Sequence, residues 1–125
     1  SYQDWAICQL EDNLGDIFGW FGMSGEPSAN MNLTLAGYPG TGNGYQFSSP
    51  GKVTEVVNNM YFTASNYSIQ GYSGGPMYDS NGTAFGIYTT VYSDGSGNNS
   101  SGATRFVDWL FDMIVDACDE SASRW

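Results

Sequence analysis

Polar and apolar residues alternate along Asn32-Leu33-Thr34-Leu35-Ala36-Gly37-Tyr38, the period of a half-buried strand. Pro39-Gly40 then supplies a turn, because proline presets the first central dihedral and glycine accepts a positive φ at the second. Further strands are expected at Gly44–Ser48, Lys52–Val57 and Met60–Ala64, and the aromatic and β-branched run Ala84–Tyr92 predicts another. Trp5–Leu10 reads as a short buried strand led by Asp4, and the Gly-interrupted aromatic run Ile17–Met23 as an irregular one. Glu11–Gly15 reads as a turn-rich connection. Gly71–Pro76, with three glycines and a proline in six residues, reads as a loop, as does the Ser/Gly/Asn stretch Ser93–Gly102. Only Phe106–Ala117 has a helical period. There Asp108, Asp112 and Asp116 share one face, and Phe106, Trp109, Leu110, Met113, Ile114 and Ala117 make the opposite, apolar stripe. Many short strands followed by one terminal helix predict an antiparallel barrel or sandwich with a helix packed against it.

At 125 residues the chain is the size of one domain, and a 41% hydrophobic composition is enough for a packed core. No apolar run is long enough to span a membrane as a helix, and no signal-peptide pattern opens the chain. It begins at Ser1 rather than Met, as expected of a processed product or an excised fragment. Three basic residues (Lys52, Arg105, Arg124) face thirteen acidic ones, and the net charge of -10 disfavours nucleic acid and anionic membrane surfaces as partners. The chain has no histidine, which excludes His-ligated metals and any Ser-His or Cys-His pair made within it. Cys8 and Cys118 form no metal or C-x-x-C motif. They are either a disulfide closing about 110 residues or two buried free thiols. The Asp108/Asp112/Asp116 row reads as a solvated helix face rather than a calcium site, and Asp94-Gly95-Ser96-Gly97-Asn98 as a flexible loop without the closing glutamate of a calcium loop. Sequons start at Asn32, Asn66, Asn81, Asn98 and Asn99, most of them by chance in so Asn- and Ser-rich a chain.

Ser73 carries the strongest chemical signal. A serine flanked by glycines can sit in a tight turn with the N–H groups of Gly71 and Ser73 aimed together at a developing oxyanion. The G-x-S-x-G pattern does not fit the nucleophile elbow of the α/β-hydrolases. That elbow continues into a helix and takes a histidine from later in the chain, whereas Gly74-Gly75-Pro76 and strand-like sequence follow here.

Gly71-Tyr72-Ser73-Gly74-Gly75-Pro76 resembles the G-x-S-G-G-P nucleophile loop of the chymotrypsin-like serine proteases. Asp4-Trp5-Ala6-Ile7 resembles the strand start that holds their triad aspartate. Gly37-Tyr38-Pro39-Gly40 is similar to a turn of the bacterial V8-like, or glutamyl endopeptidase, branch, and Phe85–Thr90 to the strand lining the primary specificity pocket. The resemblance implies an all-β fold: a six-stranded antiparallel second barrel over residues 16–104, preceded over 1–15 by the last strand of a first barrel and a crossover, and followed over 105–125 by a C-terminal helix and tail. It implies a secreted endopeptidase in which Ser73 is the nucleophile, Asp4 orients the histidine, and the Gly71 and Ser73 amides form the oxyanion hole. That histidine belongs to the family's first barrel, so the implied partner is an N-terminal half, with a peptide as substrate and neither cofactor nor metal.

The family's specificity positions fall on Ser68 and Tyr88, with Thr89, Thr90 and Val91 offering backbone groups to an extended substrate. Tyr88 replaces the histidine that helps glutamyl endopeptidases read a carboxylate, and Tyr67 replaces the aspartate that reads basic residues. The resemblance therefore implies a neutral or polar residue before the scissile bond. Tyr72 stands where vertebrate enzymes pair an aspartate with a newly cut N-terminus, so that zymogen switch is not expected. The alternative reading is a non-catalytic, protease-like module that holds a peptide end beside Tyr88. Alone, the chain is expected to need a partner, to swap strands or to aggregate.

Overall fold

Apolar residues at alternate positions turn one face of a strand inward, and successive strands do this until the sheet closes on itself. The computed structural model describes residues 4–57, 61–93, 95–96 and 99–123. Six strands, β2 (Asn32–Gly37), β3 (Phe47–Val57), β4 (Tyr61–Ala64), β5 (Pro76–Tyr78), β6 (Thr83–Ser93) and β7 (Asn99–Arg105), follow a single turn of helix, α1 (Gly15–Phe18), and a two-residue strand, β1 (Gly22–Met23). The six pair antiparallel in the order β6-β5-β2-β3-β4-β7, and a β6–β7 ladder seals the ring. β1 is appended outside, parallel to β6 through Gly22↔Thr83 and Met23↔Ala84. The helix α2 (Asp108–Ala122) ends the described chain.

Leu33 and Leu35 of β2, Val53 of β3, Phe62 and Ala64 of β4, Met77 of β5, Phe85 and Tyr88 of β6 and Ala103 of β7 fill the barrel. Burial of each large side chain contributes about 1.5–3 kcal/mol. A second cluster of Ala84, Phe106, Val107 and Leu110, with Phe111 and Ile114 against it, docks α2 on the barrel.

The barrel and the terminal helix are those expected, but four local readings change. Gly44–Ser48 and Lys52–Val57 were separate expectations, and a single β3 runs through Pro50-Gly51. Proline is tolerated because β3 has only one ladder neighbour there: Pro50 faces Thr34 of β2, while pairing with β4 begins at Val53. β7 occupies Asn99–Gly102, the last four residues of the expected Ser93–Gly102 loop. Its small residues serve packing, since a Cβ on Gly102 would stand 2.6 Å from the Tyr92 ring. Trp5–Leu10 is neither a strand nor buried. No strand pairs with it among the described residues, and Ile7 and Leu10 are exposed. Ile17–Met23 divides into part of α1 and the short β1.

The stripe expected on α2 is also rotated. Leu110, Phe111 and Ile114 pack inward while Trp109 and Met113 are exposed, and Asp108, Asp112 and Asp116 face solvent. Cys8 and Cys118 are exposed free thiols, not buried ones. Of the segments read from sequence, Met60, Asp94, Gly97 and Asn98 lie outside the described residues.

Candidate active site

Between β4 and β5, residues 65–75 leave the barrel and return, and hydrogen bonds hold them at both ends. The fully buried Asn66 side chain donates through Nδ2 to the Leu33 carbonyl at 3.0 Å and the Ser49 carbonyl at 2.7 Å. Further along, the Gly40 amide donates to the Gln70 carbonyl, and the Gly75 amide to that of Tyr72, each at 2.9 Å. The Gly74 amide donates to the Tyr88 carbonyl and the Tyr88 amide to the Gly75 carbonyl, also at 2.9 Å. These last two bonds fasten the loop to β6.

Glycine is required at two of these positions. Gly71 has φ +109°, and a Cβ there would lie 2.5 Å from the Tyr38 carbonyl oxygen and 2.6 Å from the Gly40 nitrogen. A Cβ on Gly75 would collide with the Ala36 carbonyl.

The pairing leaves a specific remainder. The amides of Tyr72, Gly74 and Gly75 each have an acceptor, whereas among the described residues no backbone carbonyl accepts from Gly71 or Ser73. Ser73 is exposed and lines a cleft of about 450 Å³ shared with Phe21, Gly37, Tyr38, Gln46 and Tyr78. Among the described residues, none that lines the cleft is Asp, Glu, Lys or Arg. Among the described residues, the serine loop therefore keeps two unpaired N–H groups, of Gly71 and of Ser73 itself, and its cleft is lined by no carboxylate, lysine or arginine.

The other sequence-derived positions are distributed unevenly. Tyr88 is buried, its ring meeting that of Tyr72 edge-on at 6.3 Å between centroids. Ser68 is wholly buried, and its Oγ has no hydrogen-bond partner among the described residues. Thr89 falls at a bulge between the Tyr88↔Ala103 and Thr90↔Gly102 pairs, with its Oγ1 donating to the Gly102 carbonyl at 3.4 Å. Thr90 and Val91 pair with β7 on one side and, among the described residues, with no strand on the other. Asp4 is exposed and belongs to a segment lying along α2, where the Trp5 ring packs 5.7 Å from that of Trp109; it does not line the Ser73 cleft.

Asn66 is the residue that sequence reading missed. The Asn-x-Ser pattern marks it as a surface sequon, yet it is 0% exposed and organises the start of the loop, whereas Asn32 and Asn81 are exposed. Its position, two residues after Ala64 and in phase with the inward-facing Phe62 and Ala64 of β4, is the available signal.

The sequence model of the Trypsin family matches residues 4–110. The chain belongs to the trypsin family. Among solved structures, Glu endopeptidase in complex with MPD aligns with a TM-score of 0.73 and 24% identity over 86% of this chain and 51% of that one. The active form of the Rv3671c protease from M. tuberculosis gives 0.59 and 21% over 68% and 42%, and the serine endoprotease from Yersinia pestis 0.61 and 16% over 81% and 35%. At these identities the likeness is one of fold, and the chain spans about half or less of each of these proteases. A search of curated proteins gives no match. In this trypsin-family barrel, the Ser73 loop is held between the β2–β3 turn and β6.

Proposed function

We propose that this chain is the C-terminal part of a secreted serine endopeptidase of the V8-like branch, and that it hydrolyses peptide bonds through an acyl-enzyme on Ser73. The observation that carries the reading is a pair of amides unpaired among the described residues, those of Gly71 and of the exposed Ser73 itself, in a turn where Tyr72, Gly74 and Gly75 are bonded. Backbone N–H groups fixed in this way need no reorganisation when negative charge develops on a substrate oxygen, and one such donor is worth ~10²–10³ in turnover.

The steps follow from that arrangement. Ser73 Oγ attacks the scissile carbonyl while a histidine from an N-terminal half takes its proton. The carbonyl oxygen becomes an oxyanion between the Gly71 and Ser73 amides. The histidine then returns the proton to the departing amine, and water, deprotonated by the same histidine, releases the acyl group. Asp4 orients that histidine and stabilises its charged form. Two observations support a donor outside the chain: the sequence has no histidine, and among the described residues no carboxylate, lysine or arginine lines the cleft. A third is apolar surface beside the site, where Phe21 lines the cleft and the neighbouring Phe18 and Trp20 are 80% and 81% exposed.

The substrate strand adds along Thr89–Val91, on the side where β6 has no neighbour. Buried Tyr88 and Ser68 offer hydroxyls and no fixed positive charge, which favours a neutral or polar residue before the scissile bond.

The test is casein hydrolysis by the chain alone and by the chain assembled with its upstream half, together with labelling by a serine-directed organophosphate. Activity and Ser73 labelling are expected only in the assembly. Equal activity in both preparations, or none in either, defeats the split-site reading. Peptide binding without labelling identifies a non-catalytic module instead.

A further inference from the structure

The groove between the N-terminal segment and α2 has no part in the proposed catalysis, yet both cysteines of the chain line it. On α2, Ile114, Ala117, Cys118 and Ser121 follow one another at i, i+3, i+4 and i+7, which puts them on a single stripe. Ile7, Cys8, Gln9 and Leu10 face that stripe across the groove.

Two contacts set the register. At one end the Trp5 ring packs on that of Trp109, in the first turn of the helix. At the other, Gln9 Nε2 donates to Ser121 Oγ at 3.3 Å, in the last turn. The segment therefore runs in the same direction as the helix. One residue back from Gln9 is Cys8, and one turn back from Ser121 on the same stripe is Cys118. Both thiols are free and exposed, so a soluble oxidant can reach them.

We infer that Cys8 and Cys118 are a redox pair, closing to an intramolecular disulfide that staples the N-terminal segment to α2. The co-reactant is a small-molecule disulfide such as oxidised glutathione. The Cys8 thiolate attacks one of its sulfurs, forming a mixed disulfide and expelling one glutathione thiolate. The Cys118 thiolate then attacks the Cys8 sulfur and expels the second. The protein loses two electrons and two protons, and one oxidised glutathione becomes two reduced molecules. The inference does not depend on the proposed peptidase activity, because neither sulfur touches the Ser73 cleft.

The test equilibrates the folded full chain, and separately the chain in denaturant, in glutathione buffers of graded ratio. Acid quenching, maleimide blocking and peptide mapping without reductant follow. The expected native product is two hydrogen atoms lighter than the reduced protein, with the Cys8 peptide joined to the Cys118 peptide. Its midpoint is expected to lie at a glutathione ratio at least ~10-fold more reducing than in denaturant, because a folded pair has a raised effective concentration. The Cys118→Ser variant is expected to hold a single glutathione on Cys8. Two maleimide-reactive thiols after oxidation, glutathione on both cysteines, disulfides only between chains, or the same midpoint in native and denatured protein would each overturn the inference.

Discussion

The peptide N–H of Tyr88 donates to the Gly75 carbonyl at 2.9 Å, so the strand beneath the serine loop holds that loop by its backbone. The contact needs a bare α-carbon at 75, where a side chain would strike the Ala36 carbonyl; at Gly74, φ is +82° but the space around a Cβ is open. Gly75→Ala is therefore expected to destabilise by about 3 kcal/mol, the upper end of overpacking costs, and Gly74→Ala by about 1 kcal/mol, the left-handed penalty. Urea unfolding midpoints of the two variants check the order.

Asn66→Ala removes the donor for two buried carbonyls, Leu33 and Ser49. Each uncompensated group costs about 1–3 kcal/mol, so a loss of about 2–6 kcal/mol is expected, with a matching fall in melting temperature. Asn32→Ala, at an exposed sequon, is the control and is expected to stay within about 0.5 kcal/mol of the parent.

Ser73→Ala in the assembled protease is expected to lower turnover by at least ~10⁴-fold and to abolish organophosphate labelling. Its unfolding midpoint should not move, because the side chain is exposed. A single-turnover assay run beside circular dichroism separates the two effects.

Helix α2 carries no basic residue in its last turn and has Asp119 and Glu120 there, the wrong sign for the partial negative charge of a helix C-terminus. Glu120→Lys is expected to stabilise by about 0.3–1 kcal/mol at low salt. The gain should shrink as ionic strength rises, in thermal melts at graded salt.

Ile17, Phe18 and Trp20 are 70%, 80% and 81% exposed along one short stretch. The isolated chain is expected to self-associate through them, and Phe18→Asp with Trp20→Ser to reduce that association. Light scattering across a concentration series measures it. A parent that stays monomeric at high concentration contradicts the expectation.

Strict alternation made β2 legible, and the aromatic, β-branched run did the same for β6, because each strand buries one face. β7 was hidden because Ser, Gly and Asn are turn formers in isolation, whereas in the barrel the facing Tyr92 ring leaves no room for a side chain at Gly102. Pro50 disguised β3 as two pieces, since a sequence does not reveal on which side a strand lacks a neighbour. The serine loop was visible as a glycine pattern. Its anchoring by Asn66 was not, because the same three letters describe a surface sequon and a buried clamp. The apolar residues of Trp5–Leu10 and α2 were readable as apolar but not as facing inward or outward, which their packing neighbours decide.

The ring of strands is completed by ladders from β7 to both β4 and β6, and β7 extends to Arg105. A growing polypeptide cannot shut this ring until nearly all of the described sequence has cleared the ribosome, so every earlier length carries raw ladder ends. Synthesis of this protein therefore passes through a long window of adhesive half-built sheet. Holding factors acting before Arg105 emerges would protect yield more than any acting afterwards.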